Sequence, residues 1–280
     1  MQKGKIARLG AWLWRHAHLL LTVAALLAWS RLASAWAVLL FLPVWVLATQ
    51  LIVAGSLESA RLRRRAWLGQ YLREDSPWHR WLRGGALMVV RHQVVGALLA
   101  LVLLVQLRLL PLVGWPLLLA GAVVLVGVDR ELRRRLARHV IAEHLAAVSR
   151  RLLVPPVAGL LALGLVAAAL WLPQPYLVGL GWEEAMLRHL PESDGGSLLG
   201  FLERLAGVVQ TSQFWAMQNA VAHLKLGAPF ALLGWVLLLL AQGAVAWAYV
   251  RVLVGAEALR RRRLRLPERA GLARCGEKLP

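Results

Sequence analysis

The chain has 280 residues, 59% of them hydrophobic and only 17% charged, with mean hydropathy +0.61, a balance that lies outside the range of water-soluble domains and identifies a membrane protein. Abundant apolar residues exclude a disordered chain, a single cysteine excludes a disulfide scaffold, and glycine lacks the three-residue period of collagen. The net charge of +19 would suggest nucleic acid as partner of a soluble chain, but 26 of the 33 basic residues lie in four blocks (1–15, 56–84, 129–151 and 256–280) separated by apolar runs, so no nucleic-acid partner is expected.

A helix crossing a hydrocarbon core of ~30 Å needs ~20 mostly apolar residues, because backbone polar groups cannot be left unpaired in lipid. Six stretches qualify: 10–30, 32–54, 86–107, 109–128, 152–173 and 229–251. The predicted fold class is therefore all-α, a polytopic transmembrane helical bundle of about six spans. In the first stretch, Lys3, Lys5 and Arg8 precede an apolar run and Ala33-Ser34-Ala35, the layout of a cleavable secretory signal. Cleavage there would put the basic blocks on the wrong side of the membrane, so an uncleaved span is the preferred expectation.

With six spans and the amino terminus inside, all four basic blocks face the cytoplasm, as the positive-inside bias requires. Both termini are then cytoplasmic, and the expected location is a bacterial inner membrane. The expected units are 1–173, five spans with basic inner loops at 56–84 and 129–151; 174–228, an extracytoplasmic loop and helix with a net charge of −2 between 172 and 228; 229–255, the sixth span; and 256–280, a basic tail. Trp12, Trp14, Trp29, Trp36, Trp115, Trp171, Trp182 and Trp235 fall near span ends, where an amphipathic indole suits the headgroup level.

A glycine, an acid and then arginines recur at the inner ends of the second, fourth and sixth spans. Gly55 and Glu58 lead to Arg63, Arg64 and Arg65; Gly127 and Asp129 lead to Arg133, Arg134 and Arg135; Gly255 and Glu257 lead to Arg260, Arg261, Arg262 and Arg263. Two explanations stand: duplicated hairpins, a device of transporters, or three independent stop-transfer sequences. Both inner loops can continue as helices, Arg133, Leu136, Val140, Ile141, Glu143 and His144 following a helical order. Their arginines can hold anionic lipid headgroups at ~1 kcal/mol per residue near the surface, or an acidic protein partner.

In the outer excursion, 174–196 reads as loop, with Pro173, Pro175, Pro191 and the turn Asp194-Gly195-Gly196. Ser197 then caps an amphipathic pattern of Leu198, Phe201, Leu202, Leu205, Val208, Val209, Trp215 and Val221. That helix is too polar to cross the bilayer, and is expected at the outer interface or against a partner subunit.

Ionisable groups inside spans are expensive and so mark function, yet no Asp or Glu falls within any predicted span. The polar intramembrane residues are Arg91, His92 and Gln93 early in the third span and Gln242 midway through the sixth. Arg91 can snorkel to the interface. His18 and His92 enter from one face at similar depth and could ligate a haem iron, but a second pair and a Cys-x-x-Cys-His site are missing, so no cofactor is expected. His139 and His144 are five apart, which is not an i, i+4 metal pair, and no metal site is expected. Phosphate loops, G-x-S-x-G elbows and zinc-type cysteine spacings do not occur.

Residues 182–188 contain Glu183, Glu184 and Arg188 in the pattern Glu-Glu-x-x-x-Arg, and Asn219 precedes His223 by four. The arrangement resembles the membrane-embedded CAAX-type protease family, in which paired glutamates and a downstream histidine activate water for peptide hydrolysis. The resemblance implies those roles for Glu183, Glu184 and His223. It covers residues 182–223 alone, departing where Asn219 stands in place of a Phe and where no final histidine motif follows in the sixth span. An exposed acidic loop is the alternative for the same residues.

Three functions follow. The leading expectation is a non-catalytic membrane subunit or scaffold of a multi-protein assembly, partnered by other membrane subunits and anionic lipid. The others are a permease-like transporter component, in which Arg91 to Gln93 and Gln242 share a polar cavity, and the hydrolase.

Overall fold

A computed structural model describes residues 2–71, 85–189, 196–222 and 227–276. Eight α-helices are found among them, with no strand: α1 (Gln2–Arg31), α2 (Ser34–Tyr71), α3 (Ala86–Leu109), α4 (Trp115–Leu136), α5 (Ala142–Trp171), α6 (Trp182–His189), α7 (Leu198–Ala222) and α8 (Gly227–Gly276). Five stretches of these helices are long and apolar enough to cross a membrane: Ser34–Leu57, Ala86–Leu109, Leu112–Leu136, Leu145–Trp171 and Gly234–Arg260. The chain is a multi-pass, all-α membrane protein. The other expected span, 10–30, falls within α1, which contributes Leu19, Val23, Leu26 and Trp29 to the core.

Several boundaries differ from those expected, for physical reasons. The fourth span does not begin at 109: Leu110 and Pro111 are extended, and the helix starts at Trp115 with Pro at its first turn. The basic stretches are helix rather than loop. α2 runs unbroken through Arg63 and Arg64, and α8 carries its 50 residues from the span through the basic tail, ~75 Å of helix at 1.5 Å per residue. The helical order expected across 133–144 is interrupted by a turn and a bend at 137–140 and by non-helical Ile141 before α5 begins. Residues 174–196, expected as loop, contain the two-turn helix α6.

α8 is the hub, packing against α5, α2, α7, α3, α1 and α4. Such a helix must be apolar on every side, and Ala246, Ala248, Tyr249, Val250, Val252 and Leu253 are all buried. Three side chains tie the helices together through backbone carbonyls. Trp29 Nε1 donates to Leu104 O at 3.0 Å, Trp45 Nε1 to Ala97 O at 2.8 Å and Tyr249 Oη to Leu118 O at 2.8 Å. Without competing water these bonds are worth ~1 kcal/mol or somewhat more each. Trp29 and Trp115 are thus core residues rather than interfacial ones, whereas Trp36, Trp171, Trp182 and Trp235 are exposed.

Two of the three repeated glycines face one another. A Cβ on Gly255 would run into the carbonyl of Leu51, and one on Gly55 would lie 3.1 Å from the Gly255 nitrogen. α2 and α8 therefore touch backbone to backbone, the close approach that small residues permit. Gly127 faces open space.

Candidate functional site

The helices alternate so that one end of the bundle gathers the start of α1, α3 and α5 and the finish of α2, α4 and α8. Two cavities open there. The first, of 210 Å³, lies between α2, α3, α5 and α8, and its polar wall is Ser56, Arg63, His92, Arg150, Arg151 and Arg251. The second, of 710 Å³, lies between α1, α4, α5 and α8, and is lined by Asp129, Arg130, Arg133, Arg150, Glu257 and Arg260 over an apolar floor that includes Leu19, Val123 and Leu153. Arg150, 5% exposed, belongs to both, and its Nε donates to Ala146 O at 2.7 Å.

The two cavities differ in charge balance. In the larger one, acids interleave with the bases. Arg133 pairs with Asp129 at 2.8 Å, and His18 sits between Glu257, 2.5 Å from its Nε2, and Arg260, whose Nη1 donates to Nδ1 at 3.0 Å. Acceptance at Nδ1 leaves the imidazole proton on Nε2, facing the carboxylate. His18 is thus engaged by Glu257 and Arg260, while His92 lines the smaller cavity. The smaller cavity has four arginines and, among the described lining residues, no carboxylate. The Arg251 guanidinium lies over the Trp247 ring at 5.4 Å, and His92 Nδ1 is 2.9 Å from Met88 O, so that nitrogen carries the proton and Nε2 is left to the cavity side.

The other predicted residues are scattered. Arg91 is exposed, and Arg91 and Gln93 line neither cavity. Gln242 stands nine residues before Arg251, ~13 Å along α8, and lines neither of these two cavities. Of the arginine blocks, Arg63 borders the smaller cavity and Arg133 and Arg260 the larger; Arg64 is half-buried beside Gly85; Arg134 is exposed; Arg135 pairs with Glu131 at 2.9 Å. Arg65, Arg261, Arg262 and Arg263 lie within α2 and α8 with side chains outside the described residues. Arg150, Arg151 and Arg251 were not singled out from the sequence. Their signal was present: each sits at the inner end of an apolar run, on helices that the alternating topology brings to one level.

At the opposite end, Glu183 and Glu184 are exposed on α6, and Glu184 pairs with Arg188 at 2.5 Å. His223 lies outside the described residues. Asn219, the other member of the protease-like motif, is buried in a structural clamp: its Oδ1 accepts from Gly179 N at 3.0 Å and its Nδ2 donates to Leu177 O at 3.0 Å. Gly179, at φ +82°, makes the turn that presents these groups. Gln218 holds Leu177 N and Pro175 O, and Trp215 Nε1 donates to Leu180 O.

Guanidinium groups stay protonated at any physiological pH, so the arginines of these cavities can hold and orient an anion but do not themselves relay protons. Among the described residues no three His, Cys, Asp or Glu side chains converge in a metal-binding group. No family model matches the sequence, and no curated protein or solved structure matches it.

Proposed function

We propose that this chain is a non-catalytic subunit or scaffold of a multi-protein assembly in a bacterial inner membrane, with its arginine-rich end in the cytoplasm. The orientation rests on the positive-inside bias. The observation that carries the subunit reading is the outward face of α7. Leu198, Phe201, Leu205, Val209, Ser212, Ala216 and Asn219 follow one another at helical spacing along one stripe. Its second half is polar and is covered by the 174–189 segment, Trp182 Nε1 donating to Ser212 Oγ at 3.1 Å and Asn219 clamping the turn. Its first half is apolar and uncovered, the four side chains being 46–59% exposed. On its other sides α7 buries Leu199, Phe214 and Met217 along with Thr211 and Gln213, so its apolar side chains face both the bundle and outward. Exposed apolar side chains of this kind are favourable only where they meet lipid or another apolar helix.

The test is purification of the tagged full chain from its native membrane in nanodiscs, with mass spectrometry of what accompanies it. A stoichiometric partner that is lost in Phe201→Asp/Leu205→Asp, while the variant keeps its helical circular dichroism, is the expected result. A chain that emerges alone, or a partner indifferent to that stripe, overturns the reading.

A further inference from the structure

We propose that the smaller cavity, between the inner ends of α2, α3, α5 and α8, is a binding site for one phosphate group, presented there by an anionic membrane lipid headgroup. The argument does not depend on the subunit reading. Arg63, Arg150, Arg151 and Arg251 reach this cavity from three helices, with His92 from a fourth and Ser56 beside them. Of these, Arg63 and Arg151 are exposed and Arg251 is half-buried; no Asp or Glu stands among the described lining residues, so the lining is positive and draws an anion. The Arg251 guanidinium lies over the face of Trp247. That stacking holds the planar fork in place, which suits the bidentate recognition of phosphate oxygens. Gly55 and Gly255 bring α2 and α8 into backbone contact at the cavity wall, fixing the spacing of Arg63 and Arg251.

Size and surroundings select the ligand class. A volume of 210 Å³ is below the ~300–1,000 Å³ of pockets that enclose drug-sized molecules, so a small oxyanion is accommodated and a nucleotide is not. Ile52, Val154, Pro155, Trp247 and Val254 complete the wall, at the depth where spans meet headgroups. A lipid phosphate reaches that level without leaving the bilayer; free phosphate would enter from the cytoplasm. The larger cavity next door has Asp129 and Glu257 in its wall and already balances much of its charge.

The experiment uses the full chain in two arms. In the first, protein in phosphatidylcholine nanodiscs is challenged with phosphatidylglycerol, and retained lipid is counted by native mass spectrometry. In the second, inorganic phosphate is titrated calorimetrically into the phosphatidylcholine nanodiscs. Retention of one phosphatidylglycerol per chain, weakened about tenfold or more by Arg251→Gln or Arg151→Gln and unchanged by Arg134→Gln on the exposed face, is the expected result. Phosphate binding with the same arginine dependence, but no lipid retention, keeps the site and overturns the lipid as its source. Absence of binding in both arms with the unaltered chain, or equal weakening by Arg134→Gln and Arg251→Gln, overturns the proposal. Should the glutamine variants fail to fold, Arg251→Lys keeps the charge and removes the fork; unchanged affinity there contradicts the bidentate geometry.

Discussion

The two ends of the bundle handle polar groups in opposite ways. At the outer end Arg108 is bound to Glu203, donates to Leu32 O at 2.9 Å and lies over Trp29 at 5.9 Å, while Gln218, Asn219, Trp215 and Trp182 fasten the 174–189 segment to α7. Polar side chains there are engaged by the protein's own backbone. At the inner end cations exceed acids and enclose cavities. One end is closed by its hydrogen bonds; the other is left with a net positive lining. The contrast assigns structural work to the outer end and ligand recognition to the inner one.

The sharpest way to break the inner end without touching the outer is Gly255→Leu. A side chain there meets the Leu51 backbone, which cannot rotate away as a flexible side chain would, so a loss of about 3 kcal/mol or more is expected. Thermal unfolding in nanodiscs reads it, against Gly127→Leu, which enters open space and should move stability by less than about 0.5 kcal/mol. Equal effects would show that the α2–α8 crossing is not what holds the cavity walls together.

At the outer end, Arg108→Met strands the partly buried Glu203 carboxylate and leaves Leu32 O without its donor. About 2–3 kcal/mol is expected, with partial recovery in Arg108→Met/Glu203→Met because the uncompensated charge is then gone. A double-variant cycle that shows no coupling contradicts the pairing. Asn219→Ala removes bonds to Leu177 and Gly179 and should cost about 2 kcal/mol. Its more specific signature is faster proteolysis within 174–181 with the inner-end phosphate affinity unchanged, since no member of that clamp lines either inner-end cavity.

Spans and the grouping of basic blocks are local properties, and the sequence carried both: an apolar run of sufficient length and an arginine block after it need no partner to be read. What escaped depends on which helices meet. Gly55, Gly127 and Gly255 head the same glycine-acid-arginine pattern, yet two of them form a crossing from positions 200 residues apart and the third faces open space. Trp29 and Trp115 carry the interfacial signature but are buried, Trp29 with its Nε1 on Leu104 O of α3. That α7 carries apolar residues at helical spacing was visible, but which of them face the bundle was not: Leu199, Phe214 and Met217 are buried. In water the apolar stripe would turn inward, and only a bilayer or an apolar partner lets Leu198, Phe201, Leu205 and Val209 face out. Arg150, Arg151 and Arg251 each resemble an ordinary stop-transfer arginine until α5 and α8 bring them to one wall.

The smallest expected effect bears on the motif that resembled a protease. Glu183 and Glu184 belong to the closed outer end but not to its clamp: both are exposed, and the pair of Glu184 with Arg188 is a surface i, i+4 contact of a kind worth a few tenths of a kcal/mol at most. Alanine at either position should therefore shift stability by less than about 0.5 kcal/mol and leave co-purifying partners unchanged. A hydrolase would behave differently. An activated water needs its carboxylates shielded and held beside the substrate, so Glu183→Ala would abolish peptide cleavage while folding stayed intact. Incubating the purified chain and its Glu183→Ala variant with membrane-anchored peptide substrates distinguishes the two. Cleavage by the first and none by the second would make the outer end a catalytic site, and the division of labour between the two ends would be lost with it.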